Sequence, residues 1–165
     1  MDKNKKKIII SSIIVFIILL ICVIVLYLNK DKIKKKAEFV VPEFETSSVK
    51  GKSEGVDESL SYQKMSIKED YIVYICATPR EENNKLTLYF TSSEKNVTLL
   101  KIRVFDSNNN LLGESGLIEP NSYIKEINLN RSLNDNEGIS IKVMSYQKET
   151  YYSNGSFKLN VFVKK

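Results

Sequence analysis

Hydrophobic and polar positions divide this chain into three stretches with different periods. From Ile8 to Leu28, IIISSIIVFIILLICVIVLYL, 21 residues run without a charge. At about 1.5 Å per residue, a helix of that length is roughly 31 Å long, matching a bilayer hydrocarbon core. The pattern predicts one transmembrane helix over 8–28, with a short cytoplasmic tail over 1–7. Ser11 and Ser12 can bond carbonyls one turn back, and Tyr27 suits the interface. From Asn29 to Ser61 the chain turns lysine-rich and then polar, with Pro42, Ser47, Ser48, Gly51, Ser53 and Gly55. That composition predicts a flexible tether over 29–61. Ala37 to Phe44 forms an apolar island within it.

From Tyr62 onward the period is two. Leu86, Leu88 and Phe90 point one way, Thr87 and Tyr89 the other. Leu100, Ile102 and Val104 alternate with Lys101 and Arg103. Ile139, Ile141 and Val143 alternate with Ser140, Lys142 and Met144, and Phe157, Leu159, Val161 and Val163 with Lys158, Asn160, Phe162 and Lys164. Tyr71 to Ala77 is apolar throughout, which predicts a strand covered on both sides, and Ile124 to Asn130 adds a weaker strand. Turn signals stand between them at Asn83-Asn84, Asp106 to Asn110, Glu119-Pro120-Asn121, Asn134 to Gly138 and Ser153-Asn154-Gly155. Short alternating strands without an amphipathic helix predict an all-β domain over 62–165, an antiparallel sandwich of about seven strands.

Charge changes the picture once it is divided at the apolar segment. Residues 1–36 hold nine lysines against Asp2 and Asp31, a net +7, leaving 16 basic and 18 acidic side chains for residues 37–165. The whole-chain +5 therefore belongs to the flanks of the span, where lysines attract anionic lipid headgroups. A slightly acidic folded module argues against nucleic acid as a partner. The flanks carry four lysines (Lys3, Lys5, Lys6, Lys7) against five (Lys30, Lys32, Lys34, Lys35, Lys36), so the positive-inside rule does not decide orientation. The free amino terminus and the ease of translocating long C-terminal segments favour a cytoplasmic N-terminus and an extracytoplasmic domain.

The chain has no histidine, which removes the commonest general base and metal ligand, and no metal or cofactor is expected. Its two cysteines, Cys22 and Cys76, lie in different segments, so no disulfide is expected. Leu19-Leu20-Ile21-Cys22 has bulky Ile21 where a lipoprotein cleavage site needs a small residue, and no A-x-A-like pair closes the apolar run. Lys7-Ile8 lacks the glycine-aromatic pair of a pilin cleavage site. The anchor is therefore expected to stay attached. Ser61-Tyr62-Gln63-Lys64 spells S-x-x-K, but the spacing recurs at Ser47/Lys50, Ser92/Lys95, Ser122/Lys125 and Ser145/Lys148. Recurrence in a serine- and lysine-rich chain reads as composition, and the supporting S-D-N and K-T-G segments are missing. Gly113-Glu114-Ser115-Gly116 lacks the last glycine of a nucleophile elbow. Gly51-Lys52-Ser53 has Thr46 at the first glycine of a phosphate loop. Asp106, Asn108 and Asn110 have calcium-loop spacing, but Leu111 and Leu117 occupy its glycine and glutamate positions. The expectation is that the chain is not an enzyme.

The stretch Ser115-Gly116-Leu117-Ile118-Glu119-Pro120, then Ile127-Asn128-Leu129 and the closing strands from Val143 to Val163, resembles small single-pass anchored surface proteins of low-GC Gram-positive bacteria. The resemblance implies an immunoglobulin-like sandwich on a polar tether at the cell membrane, with no defined activity. Tyr146, Tyr151 and Tyr152 cluster near the Ser153 to Gly155 turn, and tyrosine supplies rigid contact area with a polar tip. They are the candidate contact residues for a protein partner or an envelope assembly, the other reading being that they edge the core; a cell-wall polymer is the alternative ligand.

Overall fold

Alternation with period two becomes two antiparallel sheets, because each strand buries one face and leaves the other outside. The computed structural model describes residues 13–25, 39–67 and 71–165. Two compact units divide at Val40/Val41. The first contains a helix over residues 13–25, all of whose side chains are exposed. At 1.5 Å per residue it is about 20 Å long. Among the described residues no helix is long and apolar enough to cross a membrane. Residues 8–12 and 26–28 of the expected 8–28 span lie outside the described residues, as do the 1–7 tail and the lysine-rich flank from Lys30 to Lys36.

The second unit is a β-sandwich. Its strands are β1 (Val49–Lys50), β2 (Tyr62–Ile67), β3 (Tyr71–Cys76), β4 (Arg80–Glu82), β5 (Lys85–Ser92), β6 (Leu99–Phe105), β7 (Leu111–Glu114), β8 (Ser122–Asn128), β9 (Gly138–Tyr146) and β10 (Ser153–Phe162). One sheet runs β1-β8-β5-β3-β2 with β4 also on β5, the other β10-β9-β6-β7. Ten strands among the described residues replace the expected seven. Six of them coincide with the runs marked in the sequence; the other four, β1, β2, β4 and β7, are short or polar, so alternation does not reveal them. Leu86, Leu88, Phe90, Ile102, Val104, Ile141 and Val143 are completely buried, and they join both sheets in one core. Each such side chain contributes about 1.5–3 kcal/mol of apolar burial.

Local chemistry sets the turns. Asn83 and Asn84 take φ of 53° and 60°, the two left-handed positions of a tight hairpin, which asparagine tolerates. β3 is covered fully on one side and partly on the other: Tyr71, Val73 and Ile75 are buried, and on the outer face Cys76 is buried while Ile72 and Tyr74 are half-buried. The Ser153-Asn154-Gly155 signal marks a register shift in β10 rather than the hairpin turn, which lies at residues 148–150. Gly155 supplies the positive φ of 116° that the irregularity uses.

Residues 43–51, placed by composition in the tether, are bonded to the sandwich. The Glu45 amide donates to the Leu117 carbonyl at 2.9 Å, and the Leu117 amide to the Glu43 carbonyl at 2.8 Å. β1 then pairs with β8, and the Gly51 amide reaches the Asn121 carbonyl at 2.8 Å. The Glu45 carboxylate accepts from the Gly116 amide at 2.7 Å and from the Ser47 amide and hydroxyl. Partial burial pushes its pKa up, but these hydrogen bonds outweigh that and hold it below the ordinary glutamate value. Polar composition misled here because the arm is held through its backbone and one carboxylate, not an apolar face.

Gly116 makes the docking sterically feasible: a Cβ there would stand 2.5 Å from the Glu45 nitrogen and 2.6 Å from the Phe44 carbonyl carbon. Gly116→Ala should push the arm off, costing about 1–3 kcal/mol. In hydrogen exchange, the Glu45 and Leu117 amides should lose protection while Ile102 and Ile141 keep theirs. Retained protection at Glu45 and Leu117 would mean the arm is not held by this close approach.

Candidate functional site

The three expected contact tyrosines do not form one surface. Tyr146 is 9% exposed and packs in a small satellite core with Leu99 and Leu117, its hydroxyl 3.7 Å from Met144 Sδ. Burial pushes that phenol's pKa up. Tyr151 is half-buried against the same core with a φ of 58°, and its ring meets Phe44 edge-on at 6.4 Å between centroids. Tyr152 is outside that cluster and 60% exposed. Proximity in sequence to a turn signalled contact area, but β9 turns Tyr146 inward onto Leu99 and Leu117.

Side chains with reactive potential are occupied by local structure. The Asp106 carboxylate accepts from the Asn110 side chain and the Asn108 and Asn110 amides at 2.8–3.0 Å, and these bonds lower its pKa. Arg131 approaches it at 3.9 Å while pairing with Glu137. The spacing that resembled a calcium loop is thus a self-capped turn. Among the described residues no group of three or more Cys, Asp or Glu side chains is arranged to hold a metal ion. Cys76 is fully buried, and desolvation pushes its thiol up to about 11, so it stays protonated and a poor nucleophile at neutral pH.

Glu81 is a buried carboxylate, 2% exposed, at the end of the sandwich where β4 meets the last residues of the chain. Its amide donates to the Lys164 carbonyl at 2.8 Å. Its carboxylate accepts from the Asn84 amide at 2.8 Å and the Ser132 hydroxyl at 3.2 Å, with Lys165 Nζ 3.5 Å away. Three segments are thereby pinned to one group, so its role is structural.

The concentrated chemistry lies on the outer face of the six-stranded sheet. Register puts Tyr62 of β2, Tyr74 of β3, Tyr89 of β5 and Tyr123 of β8 on that face, four of the chain's nine tyrosines. All four are half-buried. Tyr62 stacks on Tyr74 with centroids 6.0 Å apart, and its hydroxyl shares a 2.7 Å hydrogen bond with Thr91 Oγ1. Lys52 Nζ stands 5.6 Å from the Tyr74 ring centroid and Lys125 Nζ 5.9 Å from that of Tyr89. Lys64, directly opposite Tyr74, adds a third cation. Val49, 51% exposed and opposite Tyr123, extends the face to the β1 edge.

Two features hold these rings in place. Tyr89 sits with φ 47° at a bulge where Leu88 and Tyr89 together face Lys125, an uncommon conformation for an aromatic residue. The 51–61 segment joins β1 and β2, on opposite edges of the sheet, and so spans four strand spacings, about 19 Å. It brings Lys52 over Tyr74 and buries Leu60, whose carbonyl accepts from the Thr78 amide at 3.2 Å. Sequence reasoning turned Tyr89 outward but missed the group, because Tyr62, Tyr74 and Tyr123 come together only through strand order.

Glu81 carries a pH prediction. Burial raises its pKa, but the hydrogen bonds from Asn84 and Ser132 and the Lys165 charge outweigh that, and the folded value lies below the ordinary 4.5. Its contribution to stability is complete above 4.5 and is lost as the pH falls through the lower folded value. Denaturant unfolding between pH 3 and 7 should therefore show an acid limb that Glu81→Gln flattens; an unchanged limb would assign the acid sensitivity elsewhere.

No protein-family model matches this chain, and no curated protein is similar to it in sequence.

Proposed function

We propose that the chain is a single-pass membrane protein that displays its sandwich outside the cell and binds a protein partner through the tyrosine face, as a module of an envelope assembly. The single observation that carries the binding reading is that face. Half-buried tyrosines held by stacking, a bulge and cation contacts present large rigid area with little side-chain entropy left to lose on binding. Tyrosine is also among the residues that dominate interface energies. The uncharged 8–28 segment between lysine flanks supports the anchor.

The immunoglobulin-like reading is supported by the order β3-β5-β8 in one sheet and β7-β6-β9-β10 in the other, with the chain crossing between sheets after β5, β7 and β8. The parallel bridge of Arg80 to Lys164 supports it further, since it ties the short strand β4 to the residues that follow β10. The disulfide and core tryptophan of antibody domains have no counterpart: Cys22 and Cys76 are free, and the chain has no tryptophan.

Protease added to intact, wall-stripped cells should remove a C-terminal tag while a cytosolic control survives. A tag lost only after lysis would overturn the outward orientation. For the face itself, a photoreactive residue at position 123 of the full-length protein should give a discrete crosslinked species in cells. Tyr74→Ser should weaken it on the order of tenfold, as for truncating an aromatic anchor. A crosslink indifferent to Tyr74→Ser, or equally strong from position 148, would count against the face.

A further inference from the structure

The outer face of the four-stranded sheet carries a different chemistry. Across β10, β9 and β6, register sets Lys158 opposite Lys142 and Lys142 opposite Arg103, three cations in one row at about 4.8 Å strand spacing. Lys101 joins from the neighbouring row, opposite Met144. Glu114 on β7 lies 2.9 Å from both Lys101 Nζ and Arg103 Nε, and so balances one charge of the four. Among the described residues Lys142 and Lys158 make no ion pair. Like charges directly opposite one another are destabilising. Residues 37–165 as a whole carry more acidic than basic side chains, so the row is a local segregation of charge, not general basicity.

Beside the row, one step further along the same strands, lies a pocket of about 290 Å³ lined by Ser107, Gly138, Ser140, Asn160 and Phe162. Asn160 stands opposite Ser140, whose hydroxyl donates to Asn160 Oδ1 at 2.5 Å, leaving the amide NH2 as a donor. Phe162 stands opposite Gly138 and is 67% exposed. Its ring edge comes 3.5 Å from where a Cβ on Gly138 would be. An open aromatic surface flanked by a hydroxyl and an amide is suited to a polyhydroxylated ring, and the volume suits a single one.

We propose that this face binds a polymer of sugar units linked through phosphodiesters, with a sugar in the Phe162–Asn160 pocket and the adjacent phosphates along Lys142 and Lys158. A cation row alone would serve any polyanion; the pocket beside it selects this ligand. Single-stranded nucleic acid is met by a succession of open aromatic platforms. Here Phe105, the other phenylalanine on this face, is covered by the Arg103 guanidinium 5.4 Å from its centroid. An anionic bilayer would engage the lysines but leave the pocket unused. The inference stands independently of the tyrosine face.

The test is calorimetric titration of the full-length protein in zwitterionic nanodiscs. The probes are a phosphodiester-linked hexose oligomer, its phosphate-free counterpart of equal length, oligo-dT and phosphatidylglycerol vesicles. The phosphodiester oligomer should bind with an affinity that falls as salt rises. Lys142→Glu and Lys158→Glu should each weaken it about tenfold and reduce the salt slope. Phe162→Ser should weaken it roughly fivefold with the slope unchanged. Lys142→Glu relieves repulsion between neighbours, so its melting temperature should not fall, which separates lost binding from lost folding. Equal binding of the neutral oligomer, indifference to charge reversal, or equally tight oligo-dT or vesicle binding through the same lysines would each overturn the proposal.

Discussion

Everything in the folded domain depends on the burial of one face of each long strand against the opposite sheet. Leu86, Leu88 and Phe90 from one sheet and Ile102, Val104, Ile141 and Val143 from the other have no residual exposure. Because side chains alternate strictly along a strand, the choice of inward residues also decides what stands outside. The tyrosine face and the cation row are the remainders of that choice. Neither could shift by one residue without emptying the core.

The two outer faces are held by different means. On the six-stranded sheet, the 51–61 crossing, the Tyr62–Thr91 hydrogen bond and the Tyr89 bulge immobilise aromatic rings that contribute nothing to the central core. On the four-stranded sheet the charges repel, and Glu114 relieves only part of that. Local strain and like-charge juxtaposition both reduce stability, and where they persist they point to a use outside folding. The central core is large enough to tolerate them. At the ends of the sandwich, Glu45 and Glu81 act as polar clasps, each gathering backbone donors from distant segments.

The long strands were legible in the sequence because each pairs apolar alternation with flanking turn residues. Leu86–Phe90, Leu100–Val104 and Ile139–Val143 are buried as their spacing implies. The short strands were not legible. β1 has two residues and β4 three, and pairing of such pieces is decided by their partners, not by their own pattern. The docked arm was hidden for a related reason: its attachment uses backbone amides, a carboxylate and the absence of a Cβ at Gly116. The candidate surfaces were half-legible. Alternation turned Tyr89, Lys142 and Lys158 outward, but nothing in one strand reveals which residues stand beside it on the next.

What the sequence by itself determined is therefore the all-β class, the inward face of the alternating strands β5, β6, β9 and β10, the turn at Asn83-Asn84 and the lack of histidine chemistry, since these follow from residue type and local periodicity. What only the tertiary structure decided is strand order and register. Those depend on contacts between residues far apart in the chain, such as Thr91 with Tyr123 and Arg103 with Lys142. Four tyrosines scattered over sixty residues became one face, three cations from three strands became one row, and Tyr146 became part of a core, because hydrogen-bond registry between strands is a long-range property.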